Sequence, residues 1–412
     1  MTVAGSGAGA LTGDTTVDVG PLAYRHEHGT WTVGSLQTGE AVDLPDIAVT
    51  VLRALEEGNT VGRAAEIAEQ AHGERPDVLR FVDDLAGLGF VRRHGDEPPE
   101  QSPSRPAGLS LRWLNPRTVS WVFRPAPVTI IAAFILVALG LAITSGDVGF
   151  GYQDYFAFRY PGVSLAWSVS VVAVSVLLHE SWHLAAARAA GIPARISLST
   201  RLIFLTAQTA APLMWLATRR QRLSFYLAGM TSDLVLASVS ALIATRCRNG
   251  TLPAEMAHSA TLILLLGVIA EFAFCLRTDV YLLIQELLRC RNLFEDARDY
   301  ARFWTRRVMA RIRGHHAEPD PTLELPVHER RPVRVYSAIM VAGSACLLAI
   351  TAAYGLPISV TLYVRAAQGV LSAQPWRLAD GLGTLAVEGA TQALLIGMLI
   401  RRWRQRFGAS TG

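Results

Sequence analysis

The chain has no lysine, and all 38 of its basic residues are arginine. Together with abundant Ala, Gly and Val, that bias reads as the product of a high-GC bacterial genome. Charge of either sign is scarce, at 17% of residues, where soluble domains carry about 25%. A net charge of +4 is too small to argue for a nucleic-acid partner, and none is expected. The four cysteines, Cys247, Cys275, Cys290 and Cys346, lack metal-ligand spacing. That excludes a thiolate metal site and leaves reduced, packed thiols. Residues 1–20 lack the basic flank and apolar run of a signal peptide and read as a disordered N-terminus that stays on the side of synthesis.

What is present in excess is apolar sequence, 51% of the chain, with a positive mean hydropathy. Runs long enough to cross a bilayer recur at 126–145, 165–187, 223–245, 257–277, 335–353 and 381–400. The expected fold class is therefore mainly α: a polytopic membrane bundle of about six spans, preceded by a winged-helix α+β domain. Arginine clusters at 112–124, 188–222, 289–334 and 401–406, which places both termini on the cytoplasmic face of a bacterial cell membrane. Arg246 and Arg248 depart from that pattern. The expected divisions are 1–20, a soluble domain at 21–95, a linker at 96–125, a membrane core at 126–289, a charged loop at 290–334, and two further spans with a basic tail at 335–412.

In the soluble segment Ile47, Val51, Leu52 and Leu55 have helical spacing, and Thr60 stands where it can cap a second helix. A third helix opens after Pro76-Asp77 and would bury Val78, Val82 and Leu85. Residues 22–43 alternate around Trp31 and Val33 as short strands do. Through Asp43-Leu44-Pro45, the 55–61 step Leu-Glu-Glu-Gly-Asn-Thr-Val, and Phe81-Val82-Asp83-Asp84-Leu85 leading to Gly89-Phe90-Val91, the segment resembles the PqqD-like domains of peptide-modification systems. That resemblance implies a module that adds the leader of a precursor peptide to its sheet as a strand.

His179-Glu180-Ser181-Trp182-His183 is an HExxH sequence. On a helix the two histidines project from one face, about 6 Å apart, and both can ligate one Zn2+. Glu180 between them can act as the acid/base on a water at the metal's open position. Ionisable groups inside a hydrophobic helix are costly and usually functional. Catalytic zinc takes a third protein ligand, with Asp233, His258, Glu271, Asp279 and Glu286 as candidates. His183 lies five residues before Arg188, about 7 Å from the inner interface, and Asp279 follows Arg277 at a similar depth. His258 falls at the outer end of the same span.

A membrane-embedded HExxH, then Ala228-Gly229-Met230-Thr231-Ser232-Asp233, then Thr278-Asp279-Val280-Tyr281, resembles the site-2 protease family over 165–289. The likeness implies that Asp279 is the third ligand and that Asp233 stands where the family usually has Asn. Val280 replaces the family's Gly, and Glu271 and Asp233 stay open as ligands. Arg195 to Ser199 alternates and Leu202 to Thr206 is β-prone, as a strand lining the cleft or a re-entrant connector would be. His315-His316, His328-Glu329 and His26-Glu27-His28 read as solvated polar residues.

The expected function is an intramembrane zinc metalloendopeptidase that removes the leader from a ribosomally synthesised, modified precursor peptide. The rival expectations are proteolysis of a membrane-bound anti-sigma factor or signal peptide, and a non-enzymatic export or immunity protein. The expected partners are that peptide and the lipid bilayer.

Overall fold

The computed structural model describes residues 12–27, 29–36, 39–93, 114–146, 151–201, 204–290, 292–313 and 319–408. The 96–108 linker, His28, His315 and His316 lie outside them. The chain divides into two compact units: Met1–Ser110 with Ile192–Arg195 and Ala210–Thr218, and Leu111–Gly191 with Ile196–Thr209 and Arg219–Gly412.

In the first unit the order is β1 (Val17–Val19), β2 (Leu22–Glu27), β3 (Thr30–Ser35), β4 (Ala41–Leu44), α1 (Asp46–Glu56), α2 (Val61–His72), α3 (Val78–Gly87) and β5 (Val91–Arg93). Strands β2, β3 and β4 form an antiparallel meander, and β1 pairs antiparallel with β5. Residues 17–19 are thus a strand rather than part of a disordered N-terminus, because pairing with β5 buries Val17. The helix starts follow their caps. Thr60 Oγ1 accepts the Arg63 N–H at 3.3 Å, and Asp77 Oδ1 accepts the Arg80 N–H at 3.1 Å. Helix α2 stops at Gly73, whose φ of 74° is left-handed. Val33, Val51, Leu52, Leu55, Val61, Val82 and Phe90 form the core.

The second unit holds α4 (Pro116–Val119), α5 (Pro125–Ser145), α6 (Pro161–Ala189), β6 (Arg195–Arg201), β7 (Phe204–Ala210), α7 (Arg219–Arg246), α8 (Leu252–Glu271), α9 (Asp279–Leu288), α10 (Leu293–Arg313), α11 (Val327–Ile350), α12 (Leu356–Val370) and α13 (Pro375–Gly408). Among the described residues five helices are long and apolar enough to cross a membrane: α5, α6, α7, α8 and the 44-residue rod Val327–Val370, in which a π-turn at Thr351–Gly355 joins α11 to α12. The sixth expected span, 381–400, falls within α13, which is not one of the five. Thr384, Glu388 and Gln392 interrupt its apolar run. The fourth, expected to run to 277, stops at Glu271, and Asp279 opens a separate helix.

Helix α7 is the hub, packing on α5, α6, α8 and α9. Its buried Arg222 makes a bidentate pair with Glu286 of α9, Nε to Oε2 at 2.9 Å and Nη2 to Oε1 at 2.6 Å. Helices α12 and α13 meet through Gly381, where a Cβ would strike the Ala366 carbonyl and the Val370 backbone. Strands β6 and β7 pair in a two-stranded sheet, so the described residues of the 195–206 stretch are extended strand rather than a plain connector.

Candidate metal centre

Helix α6 carries His179, Glu180 and His183. Most of its hydroxyls are turned back onto their own helix, Ser168 to the Ser164 carbonyl at 2.9 Å and Ser181 to that of Leu177 at 2.7 Å, which satisfies them without water. Ser175, one turn before His179, donates instead to Asp233 Oδ1 of α7 at 2.7 Å. That carboxylate's other oxygen takes the His179 Nδ1 proton at 2.7 Å. His183 is 4% exposed, and its Nδ1 donates to the Phe225 carbonyl of α7 at 2.7 Å.

With both Nδ1 atoms engaged, the two Nε2 atoms present their lone pairs inward. They lie 3.1 Å from each other, and 3.1 Å (His179) and 2.7 Å (His183) from Asp279 Oδ2. Among the described residues these three form a group whose ligand atoms all lie within 4.8 Å of one another. Two nitrogen lone pairs and an anionic oxygen repel unless a cation or extra protons sit among them, so the donor set fits a divalent ion. Two His and one carboxylate, with the fourth position left open, is a catalytic zinc set. Tetrahedral zinc would hold such ligands about 3.3 Å apart, so only small outward shifts are needed.

Gly229 of α7 lies against His179, and a Cβ there would collide with the Nε2 edge of the imidazole. The other candidate ligands go elsewhere. Asp233 orients His179, Glu286 pairs with Arg222, and Glu271 accepts the Asp279 backbone N–H at 3.1 Å. His258 sits on α8 with its buried Nε2 unpartnered, outside the cluster. His26 stacks on Trp31 at 4.7 Å, and His328 lies 3.6 Å from Glu329. All four cysteines are free, Cys290 buried and Cys346 exposed.

Glu180 faces a cavity of about 510 Å³ that it shares with the three ligands, Gln208 and Thr209. Thr209, near the end of β7, donates its backbone N–H to Glu180 Oε2 at 2.6 Å and its hydroxyl to the Glu180 carbonyl at 2.9 Å. The sequence left a strand or a connector open just before Thr209 and gave no sign of that contact, or of the Phe225 carbonyl, because main-chain groups carry no residue-type signature. Ser175 was also missed, although its position four residues before His179 puts it on the same helix face.

Residues 45–95 match the model of the IclR helix-turn-helix domain. No curated protein and no solved structure matches the chain. The family match corrects two expectations. The soluble segment is not identified as a PqqD-like recognition domain, and no protease family matches to support the site-2 protease likeness. The exclusion of nucleic acid also falls, since helix-turn-helix domains of this kind bind DNA. Both errors have one physical source: three short helices with a small sheet are common to many winged helices, and a small net charge over the whole chain bears on affinity rather than on the fold of one segment. The match covers an eighth of the chain and assigns nothing to the second unit.

Proposed function

We propose that the second unit is a membrane-embedded zinc endopeptidase, with His179, His183 and Asp279 holding the metal and Glu180 as the catalytic acid/base. The observation that supports this reading is the meeting of three ligand atoms from α6 and α9 in one cavity with the Glu180 carboxylate. When bound, zinc supplies a water whose proton is lost near neutral pH. Glu180 would then act as the acid/base, accepting a proton from the attacking water at its carboxylate and delivering it to the leaving amine. Asp233 and Phe225 hold the two imidazoles in the tautomer that points Nε2 inward. A helical substrate hides its carbonyls in its own hydrogen bonds, so the segment cut is an extended one.

The arginine clusters at 112–124, 188–222 and 289–334 place those segments on the cytoplasmic face. Leader removal from a precursor peptide is one use of such a site, now without a leader-gripping domain to argue for it. The helix-turn-helix match favours the other, cleavage of a membrane-bound regulator by a protein whose first unit contacts DNA.

The test is a comparison, by mass spectrometry, of peptides and membrane-protein fragments in host cells carrying the wild-type chain or Glu180→Gln. Loss of a membrane-protein fragment supports the regulatory substrate. Accumulation of a leader-bearing precursor supports maturation. Unchanged peptides and fragments, with the protein present and zinc-loaded, overturn the endopeptidase reading.

A further inference from the structure

Helix α9 begins at the proposed metal ligand itself, Asp279, with Thr278 at its N-cap. Threonine is a favoured N-cap because its hydroxyl can accept a backbone N–H from the first turn. Here it does not do so. The Thr278 hydroxyl donates instead to the Glu271 carbonyl at 2.5 Å, and the Asp279 N–H is taken by the Glu271 carboxylate at 3.1 Å. One residue at the end of α8 therefore closes both ends of the 271–279 connection, through its main chain on Thr278 and its side chain on Asp279. Glu271 also lines the metal cavity, yet it lies outside the group of converging ligand atoms.

We infer that Glu271 is a positioning residue for zinc: its carboxylate replaces the missing cap of α9 and fixes Asp279 where His179 and His183 meet it. The alternatives for this acid in the cavity are a direct ligand and a bare negative charge. The hydrogen bond to the Asp279 backbone separates it from both, because glutamine can accept that N–H while carrying no charge. The inference rests on the zinc reading of the site and deepens it.

The experiment measures zinc affinity of the full chain in detergent, by competition with a chromophoric chelator, so that no substrate is needed. The wild type, Glu271→Ala, Glu271→Gln and Thr278→Val are compared, with helical content and thermal unfolding of the metal-free proteins as the check on folding. Partners that orient a ligand typically set tenfold to a hundredfold in metal affinity. Glu271→Ala is expected to lose roughly that much, Thr278→Val to lose part of it, and Glu271→Gln to stay within a few-fold of wild type. Equal binding by wild type and Glu271→Ala overturns the inference while leaving the zinc reading intact. A Glu271→Gln loss as large as that of alanine also overturns it, since the acid then acts by charge or ligation. A folded wild type that binds no zinc removes the reading beneath it.

Discussion

At the scale of single residues the candidate site is defined by what each imidazole touches on its far side. His179 is held by Asp233 and backed by Gly229, and His183 by the Phe225 carbonyl. Asp233→Ala should weaken zinc binding by roughly tenfold to a hundredfold, with Asp233→Asn milder because its amide oxygen still accepts the Nδ1 proton. Chelator competition on the purified protein reads both. Gly229→Ala should lower zinc affinity by a comparable factor without removing any ligand, because the added methyl displaces the ring; unaltered affinity would show that α6 and α7 can part enough to admit it. The HExxH spacing was legible because the residue types themselves carry the chemistry. Asp279 was reached by depth from the interface, although it opens its own helix rather than closing a span. Asp233 stayed open as a ligand in the sequence, and its carboxylate meets His179 at Nδ1: spacing along one helix cannot say which nitrogen of a histidine on another it will meet.

At the scale of elements, α7 organises the second unit and α9 is fastened to it by Arg222 and Glu286. Breaking a buried pair by removing one partner costs about 3–5 kcal/mol, whereas replacing both by apolar groups is often close to neutral. Arg222→Leu should therefore unfold well below the wild type in a detergent melt, and Arg222→Leu with Glu286→Leu should regain most of the difference. Similar melts for single and double variants would show the pair to be loosely held. Three of the six expected spans, 126–145, 165–187 and 223–245, match helices to within four residues at each end, since an unbroken apolar run of about 20 residues has few alternatives. The long rod was under-read because its flanks, Val327–Arg334 and Leu356–Val370, are too polar or too distant to join the apolar window, yet the helix continues through a π-turn. In the first unit, Thr60 and Asp77 marked the helix starts correctly, and the pairing of 17–19 with 91–93 was hidden because its partners are more than seventy residues apart.

At the scale of the whole molecule the chain holds a segment, 45–95, that matches the IclR helix-turn-helix model, and a second unit with membrane-length helices. If the first unit contacts DNA, full-length protein in nanodiscs should bind duplex DNA with an affinity that falls steeply as salt rises, the mark of counterion release. Binding that is absent, or indifferent to salt, would argue for a different use of those helices. The proposed metal centre has a consequence of another sort, in time rather than in energy. Both histidines are closed in by α7, one beneath a main-chain carbonyl and the other against Gly229, and the acid ligand arrives on α9. An ion held there would leave through the cavity that the ligands share with Glu180. If the centre holds zinc, a chelator added to the folded protein should strip it more slowly than from an open surface site, at a rate that depends on the chelator's size. A bulky chelator that removes the metal as fast as a small one would show the site to be open to the outside.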